Sequence, residues 1–235
     1  MATAATAVPA RDHTFYIDSD GKPVGETPRH VLNFRYTLEP LERRYAHDPN
    51  VFVAGNMFVH YVQFDGNRHV SPDIFVVFGV PKVTEPERRS YRTWEENGKG
   101  PDAIIELTSA STRDEDIETK FALYRDVLKV KEYFLFDPYG EYLRPRLQGH
   151  RLFRRQYRRI RPVRGRLPSQ VLGLHLEYDD DLLRFFDPEI GIRLPIPPEI
   201  EAERDAEADA RRRAEAELER LRRELEAVRK QLPPS

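Results

Sequence analysis

The sequence predicts an α/β protein that ends in a charged helical tail, and three observations carry that prediction. The stretch Pro101–Pro138 reads as strand, turn, helix and strand in succession. Other short apolar runs bounded by turn residues, Ile74–Phe78 and Leu172–Tyr178 among them, read as further strands. Past the proline-rich Pro195–Pro198 the composition turns to Ala, Glu and Arg, which marks a boundary. The chain therefore divides into residues 1–27, an N-terminal segment expected to be partly disordered, 28–197, the main domain, and 198–235, the tail.

Within Pro101–Pro138, Ala103–Leu107 suits a buried strand, yet Glu106 interrupts it. Alternation puts Ala103, Ile105 and Leu107 on one face and Ile104, Glu106 and Thr108 on the other. A carboxylate inside a core strand needs a cation or hydrogen-bonding partner. The following helix offers one. Ser111 with Asp114, and Thr112 with Glu115, fit the capping pattern of a helix start. Ile117, Phe121, Tyr124 and Leu128 then form an inward stripe, with Lys120 on or beside it. Lys120 fits three readings: an active-site lysine facing Glu106, a structural ion pair, or a lysine whose stem packs while its amine reaches water.

Composition narrows the function classes. With no cysteine, the chain has no disulfide, thiolate catalysis or cysteine zinc site, which suits a reducing cytoplasm. The start, MATAATAVPARDH, lacks the basic and apolar regions of a signal peptide. No apolar run approaches the roughly 18 residues that span a bilayer. The formal net charge of −2 gives no global nucleic-acid signal, so any such surface is local.

The elements then follow in order. Met1–Arg11 carries no pattern and is expected to be disordered. Asp18-Ser19-Asp20-Gly21 reads as a turn; it opens like a calcium loop but lacks the later ligands. His30–Arg44 reads as a helix with Val31, Phe34, Leu38 and Leu41 inward, distorted at Pro40. Val51–Ala54 and Met57–Gln63 read as strands turning at Gly55-Asn56. Asp73 stands at the entrance of Ile74–Phe78. Glu85–Gly100 is loop-like and holds the only tryptophan, Trp94, either a packing anchor or a stacking contact. Glu132–Phe136 is the next strand. Arg151, Arg154, Arg155, Arg158, Arg159, Arg161, Arg164 and Arg166 cluster around Phe153 and Tyr157, as a phosphate-neutralising stripe or a solvated hairpin. Asp179-Asp180-Asp181 reads first as a solvated turn or cap. The segment Glu199–Leu232 holds 11 acidic and 9 basic residues, which accounts for the whole net charge. Leu218, Leu221, Leu225, Val228 and Leu232 follow a heptad seam about two heptads long. Upstream the seam meets Ala214, Arg211, Glu207 and Arg204.

Three pieces combine into chemistry. Asp73 and Glu106 can hold Mg²⁺ or Mn²⁺ through oxygen while leaving room for water and phosphate. A metal there makes its water a better nucleophile and offsets phosphate charge. A lysine amine orients that water or stabilises the transition state.

The run Pro72-Asp73 followed by Glu106-Leu107-Thr108 resembles the PD-(D/E)XK nuclease superfamily. More specifically, Pro101 to Glu106, Ser109, Ser111, Thr112, Lys120, Tyr124, Glu132, Tyr133, Asp137 and Pro138 resemble the pattern of the Uma-type restriction endonuclease family. The resemblance runs from about Val70 to about Pro195. It implies a restriction-endonuclease-like central mixed sheet flanked by helices. It also implies that Asp73, Glu106 and the Leu107 carbonyl ligate Mg²⁺, with Lys120 assisting. The superfamily's strand lysine position holds Thr108, and the resemblance assigns that role to Lys120 on the helix. His30 and Glu39 are the first-helix candidates for completing the site, if any residue there does, and the sequence does not choose between them.

The expected function is a metal-dependent DNA endonuclease with catalytic residues Asp73, Glu106 and Lys120. It would be a cytoplasmic homodimer or other homo-oligomer joined through residues 199–232, with Arg144–Arg166 as a backbone-binding surface. The alternative is a catalytically inactive nuclease-fold module that binds nucleic acid or protein and oligomerises through its tail.

Overall fold

A computed structural model describes Tyr16 and residues 27–83, 87–109 and 112–231, with side chains described as far as residue 226. Met1–Arg11, the turn at Asp18–Gly21, Ser111 and Leu232 lie outside the described residues. So does the side chain of Val228. The chain runs α1 (Pro28–Arg44), β1 (Val51–Gly55), β2 (Val59–His60), β3 (His69–Val70), β4 (Ile74–Phe78) and β5 (Tyr91–Arg92). A 3₁₀ turn, Thr93–Glu96, leads to β6 (Ala103–Leu107). A π-helical segment, Glu115–Lys120, runs into α2 (Phe121–Asp126). Then come β7 (Glu132–Phe136), β8 (Leu147–Phe153), β9 (Gln156–Arg159), β10 (Leu167–Pro168), β11 (His175–Asp179), β12 (Leu182–Asp187), β13 (Ile192–Arg193) and α3 (Pro197–Gln231).

The expected α/β class holds. The central sheet has six strands in the order β1-β4-β6-β7-β8-β9. It is mixed: β6 and β7 are parallel, and every other pair is antiparallel. A parallel pair needs a crossover, which the π segment and α2 provide. Ala103, Ile105 and Leu107 bury one face with Phe134, Phe136, Leu41 and the β11–β12 residues Leu176, Leu183 and Phe185. Ile104 faces the other way, with Phe75, Val77, Tyr124, Leu128 and Tyr133. The alternation expected around Glu106 is therefore the alternation of the two core layers.

Two smaller sheets complete this unit, β10-β11-β12-β13 and β3-β2-β5. Gly55-Asn56 does not close the expected hairpin. β1 pairs with β4, whereas β2 joins β3 and β5 in a separate sheet. The Asn56 N–H is taken by the Asp73 carbonyl at 3.0 Å, a partner distant in sequence.

Helix α1 starts where Thr27 caps the His30 N–H, and it continues past Pro40 to Arg44. Its inward residues are Asn33, Thr37, Pro40 and Leu41, and Val31 is exposed instead. Asn33 explains the difference. Its amide donates to the Asp181 carbonyl at 2.8 Å and accepts from the Leu183 N–H at 3.0 Å, so a polar residue anchors β12.

By internal contacts the chain forms two compact units, Met1–Leu194 and Pro195–Ser235. In the second, α3 carries Leu218, Leu221 and Leu225 about half exposed. Among the described residues no helix is long and apolar enough to cross a membrane.

Candidate active site

β4 and β6 run antiparallel with Ile74 opposite Ile105, so the entrance of β4 meets the exit of β6. Asp73 and Glu106 lie there and hold each other. The Leu107 N–H donates to Asp73 Oδ2 at 2.7 Å, and the Asp73 N–H donates to Glu106 Oε2 at 3.2 Å. A strand residue turns its N–H and C=O to the same side, so the Leu107 carbonyl faces Asp73 as well. Glu106 is fully buried, while the Asp73 side chain keeps 19% exposure and forms the open edge of the site.

The crossover supplies the cation. Lys120 Nζ lies 3.1 Å from Glu106 Oε2 and 3.0 Å from Asp116 Oδ1. Tyr124, one turn on, donates its hydroxyl to Glu106 Oε1 at 2.6 Å. The buried face therefore reads Asp116, Lys120, Tyr124 and Leu128, at spacings of four. Ile117, expected on this stripe, is 36% exposed. The wide i→i+5 turns of the π segment are the reason: residues four apart align there, and residues three apart diverge. At the helix start, the Thr112 hydroxyl accepts from the Ser109 N–H at 3.0 Å. The Tyr133 hydroxyl donates to the Asp116 carbonyl at 3.0 Å and ties the turn to β7.

Three carboxyl groups share this one lysine. Burial pushes Asp73 up to about 6, Glu106 to about 7 and Asp116 to about 6, each also raised by a neighbouring acid. Burial acts against the Lys120 charge, but Glu106, Asp116 and Asp73 outweigh it and hold the amine above its ordinary value. A second cation would relieve this crowding.

The donor set fits a hard divalent ion. It offers two carboxylates and a carbonyl, all oxygen, which suits Mg²⁺, an ion that keeps several waters and takes few protein ligands. Among the described residues no three His, Cys, Asp or Glu side chains form a ready metal cage. His30 Nε2 stands 4.0 Å from Asp73 Oδ1, so of the two α1 candidates the fold brings His30 to the site. Glu39 instead pairs with Arg35 at 2.6 Å and Arg43 at 3.6 Å.

Other motif positions serve the scaffold. Asp102 accepts from the Phe78 N–H at 2.8 Å and pairs with Lys131 at 2.8 Å. Buried Glu132 binds Arg151 at 2.6 Å, the Ser169 hydroxyl and the Gln170 N–H at 3.0 Å. Asp137 accepts four backbone N–H bonds, from Tyr139, Gly140, Tyr142 and Leu143. In the aspartate run, Asp181 pairs with Arg29 and Asp179 with Arg193. Trp94 packs at a tilt against Tyr16, with ring centroids 5.1 Å apart. Asp116 escaped the sequence reading, which took the acids of this helix start for caps. Its place four residues before Lys120 was the available signal.

A search of curated proteins finds no match. Among solved structures, the chain is similar to a protein from Anabaena variabilis described as "a putative nuclease belonging to DUF820". The identity is 13%, covering 66% of this chain and 81% of that one, with a TM-score of 0.49. A family model described as "Putative restriction endonuclease" matches residues 19–179, more than half of the chain. The protein that places Asp73, Glu106 and Lys120 together in this way belongs to that family, Uma2.

Proposed function

We propose that the chain is a metal-dependent DNA endonuclease in which Asp73, Glu106 and the Leu107 carbonyl hold Mg²⁺ or Mn²⁺ and Lys120 assists. The observation that carries this reading is the interlock of Asp73 and Glu106 with the Lys120 amine against them. A divalent ion bound there would lower the pKa of a water molecule and offset charge on the scissile phosphate. Hydrolysis joins the water oxygen to phosphorus and breaks one P–O ester bond, the water giving up a proton and the leaving oxygen taking one up. Lys120 acts as a compact positive charge that orients the water and faces the phosphate oxygens. Asp116 holds that amine, and Tyr124 fixes the Glu106 carboxylate. Family membership supports DNA as the substrate.

The tail associates two copies in this reading. Leu218, Leu221 and Leu225 leave an apolar seam uncovered on α3. Glu217 and Arg222 flank it, at positions that face each other across a parallel pair. A second copy satisfies both the seam and the charges.

Purified protein incubated with plasmid and single-stranded DNA tests the reading, with Mg²⁺ or Mn²⁺ and beside Glu106→Ala and Lys120→Ala. Cleavage that needs metal and is lost in both variants is expected. Full activity in Glu106→Ala refutes it. One observation favours the inactive binding module: every Glu106 oxygen already has a partner in the fold. Calorimetric titration with Mn²⁺ separates the two, since an inert cluster takes up no metal.

A further inference from the structure

The β8–β9 hairpin carries a charge surplus that the site above does not use. From Tyr142 to Leu176 the chain has no Asp, Glu or Lys, but ten arginines. Two of them pair with acids, Arg151 with Glu132 and Arg166 with Glu177. Arg154, Arg155, Arg158, Arg159, Arg161 and Arg164 are exposed and make no ion pair among the described residues. Asp126, whose carboxylate feels the Arg155 charge, is held by Arg125 at 2.7 Å. Arg158, Arg159 and Arg161 line a cleft of about 270 Å³ beside Phe153. Arg158 lies over the Phe153 ring, 4.2 Å from its centroid.

The hairpin tip adds an independent observation. Phe153 and Gln156 close a two-residue loop of Arg154 and Arg155. Both loop residues have positive φ, 47° and 67°. That loop class prefers Asn-Gly, because a Cβ in the left-handed region is strained. Two arginines there cost stability, and strain kept at a surface position points to function. Charge alone could guard this edge strand against pairing with another sheet, but such a guard has no need of arginine in the strained turn.

We infer that this arginine edge is a separate contact for the sugar–phosphate backbone of duplex DNA, distinct from the Asp73–Glu106 site. Strand register separates the two. Arg158 lies opposite Arg151, Arg151 opposite Glu132 and Glu132 opposite Ala103, at the other end of β6 from Glu106. Arginine suits the partner, since its planar fork takes phosphate oxygens in pairs. The contact positions the duplex and carries no base readout. The inference rests on the DNA reading for its partner, but binding without metal tests it independently of cleavage.

The experiment is fluorescence anisotropy of a labelled duplex with full-length protein in EDTA, over a salt series. The variants are Arg154→Asn/Arg155→Gly and Arg158→Gln/Arg161→Gln. The tip variant is expected to bind on the order of tenfold more weakly, with a log–log salt slope smaller by about two. It is also expected to melt at a higher Tm than wild type, because Asn-Gly suits the turn. The Arg158/Arg161 variant loses a similar slope. Unchanged affinity and slope in both arginine variants overturn the inference. So does a preference for phosphatidylserine vesicles over DNA that the same substitutions abolish. A cleavage failure with these binding changes intact counts against the nuclease reading alone.

Discussion

Replacing Tyr124 with Phe removes one atom from the centre of the site and tests how it is built. The Tyr124 hydroxyl and Glu106 are both fully buried, and their bond is 2.6 Å long. Without the hydroxyl, Glu106 Oε1 loses the Tyr124 donor in a fully buried position. A hydrogen bond to a charged group contributes about 1.5–3 kcal/mol, and a neutral one about 0.5–1.5. The pH decides which applies. Glu106 sits at about 7 in the folded protein, above its ordinary 4.5. The stability gained from keeping it neutral is complete below the unfolded value and is lost as pH rises through about 7. The tyrosine favours the ionised form, so its removal pushes the carboxyl higher and costs most on the alkaline side. Tyr124→Phe should therefore lose about 2 kcal/mol at pH 8 and about 1 kcal/mol at pH 5. Urea unfolding followed by Trp94 fluorescence at the two pH values measures this. A side chain that hydrogen-bonds a ligating carboxylate also commonly carries about 10- to 100-fold of metal affinity, which Mn²⁺ calorimetry reads. Equal losses at both pH values, with unchanged metal binding, would refute the assignment of Tyr124 as the clamp on an ionisable ligand.

Three further outcomes are expected. Gly55→Ala places a Cβ 2.5 Å from the Phe34 ring and 2.9 Å from the Asp73 carbonyl. It should cost about 1–3 kcal/mol in urea unfolding and lower cleavage by displacing Asp73. His150 is pushed down to about 4, by burial first and then by the Arg159 charge. Its contribution is complete above the ordinary 6.5 and is lost as pH falls toward 4. Because the ring is only partly buried, His150→Phe should gain about 1–2 kcal/mol over wild type between pH 7 and 4.5, read by urea unfolding at both pH values. Leu221→Glu puts a charge into the half-exposed α3 seam and should turn a dimer into a monomer in analytical ultracentrifugation. Wild-type protein that is already monomeric removes the tail as the joining element.

Where the sequence reading held, the signal was a strand with one face different from the other. Ala103–Thr108 shows it: an apolar face against an opposite face broken by Glu106, which the fold repeats as its two core layers. The reading failed where the inward group was polar or the period changed. Hydropathy cannot flag Asn33 as buried, because its worth is two hydrogen bonds to a turn some 150 positions away. A helical stripe drawn at ordinary spacing cannot see the π segment, so it placed Ile117 inward and passed over Asp116. Gly55-Asn56 looked like a hairpin because local turn chemistry was visible and its distant partner Asp73 was not.

The repeated Pro-Asp shows how the fold supplies what a motif leaves open. Pro72-Asp73 and Pro101-Asp102 each precede an apolar strand, and by composition either aspartate could accompany Glu106. Their strands, β4 and β6, are antiparallel, so the two aspartates lie at opposite ends of the pair. Glu106 stands near the exit of β6 and can meet only a residue at the entrance of β4, which is Asp73. Asp102 lies at the exit of β4 and accepts the Phe78 N–H, with Lys99 and Lys131 neutralising the carboxylate. Had the two strands been parallel, both aspartates would lie at one end and neither could reach Glu106. The parallel pairing of β6 with β7 then requires a helical crossover, and that crossover delivers Lys120 and Tyr124 to the same carboxylate. Strand direction, rather than the motif, thus decides which residues surround Glu106.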